Sequence, residues 1–224
     1  RLQDLPVCLI AIDEAHCISQ WGYDFRPSYL RIADIRQLFP QVPVLALTAT
    51  ATPDVVDDIQ ERLGFREKNV FRKSFHRENL QYIVRYTEKK DEQILHILSR
   101  VPGSSIIYVR NRKRAQELAA WLIEQGMAAD FYHAGLTTHE RTQKQKAWKN
   151  YNGKEGIRIM VCTNAFGMGI DKPDVRLVIH HDLPDTLEAY YQEAGRAGRD
   201  GKTAFAVLLY NPTDKTKARK RIGD

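Results

Sequence analysis

"VCLIAIDEAHCISQWGYDF", Val7 to Phe25, decides the fold class. Its first six residues, Val7–Ile12, are all apolar or small, a run of strand length with no polar interruption. Such runs belong to strands buried in parallel sheets. The run ends in Asp13-Glu14-Ala15-His16, and Trp21, Tyr23 and Phe25 follow at once on what must be a loop. In parallel α/β sheets ligands gather beyond the carboxyl ends of strands, so adjacent carboxylates there point to a site.

Outward from this stretch, short apolar runs rich in β-branched residues alternate with helical patterns, the signature of βαβ units. Further strands are expected at Val42–Leu47, Ser105–Val109, Ala129–Tyr132, Ile157–Cys162, Leu177–His180 and Ala204–Leu209. Thr52 and Pro53 open a helix whose apolar face is Val56, Ile59 and Leu63 and which stops at Gly64. Ala115, Leu118, Ala119, Leu122 and Ile123 face a second helix closed by Gly126. The charged stretch from about Arg66 to Asp91 breaks the alternation. The chain therefore reads as α/β with two parallel-sheet units joined near residue 88. The first, 1–87, has few strands and looks like the back half of a domain, truncated at its N-terminus. The second, 88–212, looks complete. The remainder, 213–224, is a basic tail, "DKTKARKR", read as the solvated face of a helix.

Composition narrows the classes. The chain has 224 residues, 43% of them hydrophobic, enough for packed cores and unlike a disordered segment. No apolar run approaches the ~20 residues that span a bilayer. The start, "RLQDLPVC", lacks the basic-then-apolar layout of a signal peptide and lacks an initiating Met, so an excised or processed piece is expected. Three cysteines cannot make a four-cysteine zinc site; Cys8 and Cys162 lie in strand-like runs and read as buried thiols. The expected location is intracellular: cytoplasm or nucleoid in a bacterium, nucleus in a eukaryote. Net charge is +6, but residues 1–65 hold 5 basic and 9 acidic side chains, while the rest hold 29 and 19. A basic second half favours a polyanionic partner, although solubility alone explains many such excesses.

Asp13 and Glu14 suit a metal-nucleotide site in which one carboxylate holds Mg²⁺ through water and the other prepares a water. An isolated Asp-Glu would more often be a pair of solvated acids. The surrounding residues are more specific. "DEAH" followed by "CISQWGYDFRPSYL" resembles motif II and the aromatic-rich loop of the RecQ family of superfamily 2 DNA helicases. "LALTATAT" (Leu45–Thr52) is similar to motif III, "IIYVRNRKRAQELA" to motif IV, and "YHAGL" (Tyr132–Leu136) to the segment after it. "VCTNAFGMGIDKPDVRLVIHHDLP" resembles motif V and "YYQEAGRAGRDG" motif VI, in the family's order, to about Pro212.

The resemblance implies two RecA-like units, ATP and Mg²⁺ as cofactors, and single-stranded and duplex or forked DNA as substrate. It implies that Asp13 holds the Mg²⁺ and Glu14 prepares the hydrolytic water. His16 and Gln20 would link that site to the loop, where Trp21, Phe25 and Arg26 meet DNA. Thr48 and Thr50 would relay nucleotide state. In motif VI, Arg199 is the expected arginine finger, with Arg196 beside it and Gln192 also facing the nucleotide. Gly169 and Asp171 lie near the nucleotide, and Asn111, Arg112, His133 and Thr163 are DNA-backbone candidates. Bland readings exist for each: packing for Trp21 and Phe25, turn capping for the threonines, surface ion pairs for the arginines. Arg77 in "HRENLQY" matches a family segment, with no role assigned.

The family's glycine-rich phosphate loop is not found in these 224 residues; Gly153-Lys154 and Gly201-Lys202 lack the G-x-x-x-x-G-K-[ST] frame. This chain alone is therefore expected not to hydrolyse ATP appreciably. The expected parent is a monomeric ATP-dependent DNA helicase moving 3′→5′ in repair and recombination, without membrane association. An ATPase-silent nucleic-acid-binding module is the alternative, and an RNA helicase is disfavoured by "SQWGYDFRP".

Overall fold

The computed structural model describes residues 6–22, 24–167 and 170–222. The chain forms two compact units, Arg1–Phe75 and His76–Asp224.

In the first unit, β1 (Ile10–Ile12) is followed by a tight turn of 3-10 helix at Ala15–Ile18 and by the short helices α1 (Pro27–Leu30) and α2 (Ile35–Leu38). Next come β2 (Val44–Ala46), parallel to β1 with Ile10 opposite Val44, and α3 (Pro53–Arg62). The start of α3 follows its residues: the Thr52 hydroxyl accepts the Val55 N–H at 3.4 Å, and Pro53 takes the first position, where no N–H is needed. Gly64, at φ +62°, ends it. Ile10, Ile12, Ala15, Ile18, Val55, Ile59 and Leu63 form the core. Two expectations are corrected. The buried stripe of α3 runs through Val55 rather than Val56, since 55, 59 and 63 are four apart. The expected strand Val7–Ile12 pairs only from Ile10 onward, so Leu9 and the Cys8 thiol are exposed.

The second unit is a six-stranded parallel sheet with helices on both faces. Its elements are β3 (Leu80–Tyr86), α4 (Lys90–Arg100), β4 (Ser104–Tyr108), α5 (Arg112–Glu124), β5 (Ala129–Tyr132), α6 (Thr138–Lys149), β6 (Ile159–Cys162), β7 (Val175–His180), α7 (Leu187–Ala194), β8 (Ala204–Tyr210) and α8 (Pro212–Ile222). The spatial order is β3-β8-β7-β4-β6-β5. Successive side chains of β4 leave on opposite faces. Ile107 joins Ile94, Leu98, Leu118 and Leu122 beneath α4 and α5. Ile106 and Tyr108 join Trp148 and Phe166 on the other face. Strands buried on both sides are dominated by apolar residues, which explains the unbroken run at β6 and Ile106, Ile107 and Tyr108 of β4, where Ser104 and Ser105 are the buried polar exceptions.

β3 is absent from the expected strands. It is one of the two edge strands, paired only with β8 from Leu80 opposite Ala204 to Tyr86 opposite Tyr210. Its Gln81 and Arg85 are exposed, so its pattern blends into the charged stretch around it. The division between units accordingly falls at Phe75/His76 and not near residue 88. Ile123 is also corrected: it is 55% exposed, outside the face of α5 made by Ala115, Leu118, Ala119 and Leu122. The basic tail is helical, with Lys215, Lys217, Arg219 and Lys220 exposed. It is tied down by Asp214, whose carboxylate meets the buried Lys90 ammonium at 2.7 Å. Among the described residues no helix is long and apolar enough to cross a membrane.

Candidate functional site

The carboxyl end of β1 is held to β2 beyond the strands themselves. Leu47 N–H donates to the Ile12 carbonyl (2.8 Å), and Ala15 N–H to the Leu47 carbonyl (2.9 Å). Between these bonds lie Asp13 and Glu14. Glu14 has φ 51°, the one non-glycine residue with positive φ among those described. A left-handed conformation at such a residue costs about 1–3 kcal/mol and persists where the surroundings over-determine it. The exposed Asp13 carboxylate accepts the Glu14 N–H at 2.9 Å. His16 is buried, with Nδ1 3.0 Å from the Thr48 hydroxyl and 3.4 Å from Glu14 Oε2. Burial lowers its pKa, against the opposing pull of the Glu14 and Asp24 charges, so the ring favours its neutral form. The Thr48 hydroxyl also accepts the Thr50 N–H at 3.2 Å. Glu14, His16, Thr48 and Thr50 thus form one connected set. Gln20 stands exposed, outside that set.

The aromatic loop starts from the same turn. Gly22 is required there, because a Cβ would lie 2.5 Å from the His16 carbonyl oxygen. Trp21 is 78% exposed, so the packing reading fails for it; Phe25 is half-buried. Tyr23 lies outside the described residues. Arg26 is ion-paired to Asp24 (Nε to Oδ2 3.1 Å), and its amide donates to the Cys17 carbonyl. Ligand atoms of His16, Cys17 and Asp24 lie within 4.8 Å of one another. Burial and the Asp24 charge push the Cys17 thiol up to about 11, and Asp24 is engaged by Arg26. That cluster therefore reads as hydrogen-bonded packing. The hard oxygen donors Asp13 and Glu14 fit Mg²⁺ better, since that ion takes one or two carboxylates and keeps several waters.

In the second unit the motif VI arginines follow α7. Arg196 Nη1 donates to the Gly167 carbonyl at 2.6 Å, and Arg199 Nη1 lies 3.4 Å from Asp171 Oδ1. A Cβ at Gly167 would sit 2.5 Å from Arg196 Nη2, so any larger residue there displaces the guanidinium. Gln192 is half-buried on α7; Gly169 lies outside the described residues. The turn carrying Gly167 rests on a rigid floor. The Tyr108 hydroxyl donates to the Phe166 carbonyl (2.9 Å), and Phe166 packs edge-on against Tyr132 and Trp148.

The remaining candidates stand at the carboxyl ends of the adjacent strands β4, β6 and β5. Asn111 caps α5, its Oδ1 accepting the Arg114 N–H at 2.6 Å. Arg112 is exposed on the first turn. His133 is buried, with Nε2 3.2 Å from Gln116 Nε2, while its Nδ1 is buried without a hydrogen-bond partner. A Cβ at Gly135 would touch both Arg112 Nη1 (2.9 Å) and His133 Nδ1 (3.3 Å), so these two groups converge on that glycine. Thr163 is buried, its amide donating to the Tyr132 carbonyl at 3.2 Å.

Sequence reasoning overlooked the groups that brace this end. Arg77 and Asn79 bond to the carbonyls of the arginine turn. Asp182 accepts the Arg110 N–H at 3.0 Å and lies 3.3 Å from His181. Burial opposes its ionisation, but the His181 hydrogen bond and charge outweigh that and hold the carboxyl down to about 2. For His181, burial works against the charged ring; hydrogen bonds to Asp182 and Asp91 prevail and raise its pKa.

Residues 89–201 match the family model of the helicase conserved C-terminal domain. Over 209 residues the chain is 44% identical to an ATP-dependent DNA helicase RecQ of Pasteurella multocida, covering 93% of this chain and 32% of that protein. A RecQ-like DNA helicase BLM of Xenopus laevis is 46% identical over 217 residues, covering 94% of this chain and 16% of the relative. The chain belongs to the RecQ family of helicases. A RecQ of Bacillus subtilis is 45% identical over 215 residues, so the chain spans about a third or less of these relatives. A solved structure of S. cerevisiae Dbp5 bound to RNA and ADP BeF3 superposes with a TM-score of 0.69 at 22% identity, over 96% of this chain and 56% of that one. That likeness establishes the RecA-like fold.

Proposed function

We propose that this chain is the nucleotide-responsive and DNA-gripping part of an ATP-dependent RecQ-type DNA helicase, coupling hydrolysis to 3′→5′ movement along one strand in repair or recombination. The observation that carries the reading is the connected set Glu14–His16–Thr48–Thr50. It joins a strained, half-buried carboxylate at a strand end to the first turn after the neighbouring strand, the arrangement needed to pass a change at a nucleotide into the backbone.

In this reading Asp13 holds Mg²⁺ through water, and Mg²⁺ supplies charge neutralisation for the phosphates. Glu14 accepts the proton of the attacking water, with neutral His16 fixing the carboxylate's direction. Gln20, exposed between His16 and Trp21, would join this set to the loop once DNA is bound. Arg199 and Arg196 supply cations to the γ-phosphate, with Gln192 and Asp171 beside them; Gly167 keeps Arg196 in line. Trp21 and Phe25 offer faces for base stacking, with Arg26 nearby. Arg112, His133 Nδ1, Asn111 and Thr163 meet the backbone phosphates of single-stranded or forked DNA. The active species is a monomer inside the cell.

The test is ATP hydrolysis by the protein encoded by the complete reading frame, with and without single-stranded DNA. Turnover stimulated by DNA and abolished by Glu14→Gln supports the reading; turnover indifferent to DNA contradicts it. The alternative, an ATPase-silent DNA-binding module, applies to residues 1–224 taken alone, which lack the G-x-x-x-x-G-K-[ST] frame. DNA-stimulated turnover by that isolated chain would exclude it.

A further inference from the structure

The turn from Gly195 to Lys202, which carries Arg196 and Arg199, is held by side chains from a distant part of the sequence. Arg77 Nη1 donates to the Gly195 carbonyl at 3.0 Å, and Nη2 to the Gly198 carbonyl at 2.5 Å. Asn79 Nδ2 donates to the same Gly198 carbonyl at 2.7 Å and to that of Lys202 at 2.9 Å. The backbone of this segment is itself fixed, because Ala204 N–H donates to the Asn79 carbonyl at 2.8 Å. On its other side the turn is anchored by Gly198 N–H to the Val175 carbonyl (2.8 Å) and Asp200 N–H to the Pro173 carbonyl (3.1 Å).

Two physical points make this more than ordinary loop packing. Gly195 follows the carboxyl end of α7, where unpaired carbonyls and the helix dipole favour a cation; the Arg77 guanidinium supplies one with two donors in a fixed fork. Gly198 sits at φ +62°, and a Cβ there would lie 2.6 Å from Asn79 Nδ2 and 2.9 Å from Ala204 Cβ. The turn therefore has one shape, set jointly by glycine and by the two clamping side chains. Its carbonyls accept from Arg77 and Asn79, while its arginine side chains are engaged elsewhere, by Gly167 and Asp171.

We infer that Arg77 and Asn79 are positioning residues for the phosphate-facing arginines, setting the geometry of Arg196 and Arg199 from the segment immediately after the division at Phe75/His76. This rests on the nucleotide role proposed above for those arginines. Neither clamp residue touches substrate; both act through the turn.

The experiment uses the full-length protein with Arg77→Ala, Arg77→Lys and, separately, Asn79→Ala, which keeps the ion and removes the shared bond. Hydrogen exchange is read at the amides of Gly198 and Asp200, with the β4 and β6 amides as an internal measure of folding. Steady-state DNA-stimulated ATP hydrolysis is read as kcat and KM. The expected result is faster exchange confined to the turn, and kcat down about 10- to 100-fold with KM for ATP and DNA affinity within about twofold, since a misplacement near 1 Å costs on that order. Lysine should restore little, because one ammonium cannot reproduce the fork. Unchanged exchange overturns the inference. So does faster exchange with normal kcat, which would make the clamp purely structural. A wild-type protein without stimulated turnover would overturn the functional reading instead, and exchange at the turn would still decide whether Arg77 and Asn79 hold it.

Discussion

Replacing Gly167 by alanine isolates the contribution of one arginine. The new Cβ would lie 2.5 Å from Arg196 Nη2 and 3.1 Å from Cζ, so the guanidinium must retreat by about 1 Å to reach ordinary contact distance. The backbone is not the obstacle, because Gly167 is not among the glycines with positive φ. Retreat breaks the 2.6 Å bond from Arg196 to the Gly167 carbonyl. A hydrogen bond to a charged group contributes about 1.5–3 kcal/mol, and Arg196 is half-buried, so water recovers part of that. The melting temperature should fall by only a few degrees. Catalysis should suffer more: a displacement of about 1 Å in a charge-stabilising group is expected to lower kcat about 100-fold. The assay is DNA-stimulated ATP hydrolysis by the full-length protein in a double-mutant cycle with Arg196→Ala. If Gly167 acts through Arg196, adding Gly167→Ala to Arg196→Ala costs nothing further. A wild-type kcat in Gly167→Ala, or additive losses in the cycle, would refute the reasoning.

Other expectations follow from single contacts. Trp21→Ala should weaken single-stranded DNA binding by about 1–3 kcal/mol while leaving the melting temperature unchanged, because the ring is 78% exposed; anisotropy titration at fixed salt measures it. His16→Ala should break the link from Glu14 to Thr48 and uncouple the activities: basal hydrolysis retained in part, stimulation by DNA reduced at least about tenfold, both read in one ATPase titration. Asp182→Asn should flatten the acid limb of stability. The folded carboxyl is held to about 2 against 3.8, so its contribution is full above 3.8 and lost as pH falls towards 2, about 2 kcal/mol in all, measurable by urea unfolding between those values. The same variant should weaken His181, whose raised pKa adds stability below 6.5 that disappears as pH rises through the folded value.

What the sequence makes legible follows the physics of burial. β4, β6, β7 and β8, the interior strands, lie within two residues of the expected runs, because strands covered on both faces are dominated by apolar residues; β5, the other edge strand, matches its expected run Ala129–Tyr132. β3 escapes because an edge strand tolerates Gln81 and Arg85, and its displacement carries the division between units with it. Cys8 and Ile123 miss for a related reason: an apolar residue in a periodic run need not reach the core at the end of its element. The candidate site is legible where chemistry sits directly after a strand, as for Asp13, Glu14, Thr48, His133 and Thr163. Arg77, Asn79 and Gln116 are not, because their partners are backbone carbonyls and a histidine remote in sequence. The sole local hint was "HRENLQY", polar residues with no role leading into an apolar run.

The chemistry of hydrolysis converges on Glu14. The measurement is the rate of ATP hydrolysis by the protein encoded by the complete reading frame, wild type against Glu14→Gln, across a titration of single-stranded DNA. Glutamine keeps the size and loses the base, so folding and DNA affinity should hold while DNA-stimulated turnover falls by about 100-fold or more. Stimulated turnover that survives the substitution would contradict the account, since Glu14 is the carboxylate that lies 3.4 Å from His16 Nδ1, the atom that also meets the Thr48 hydroxyl.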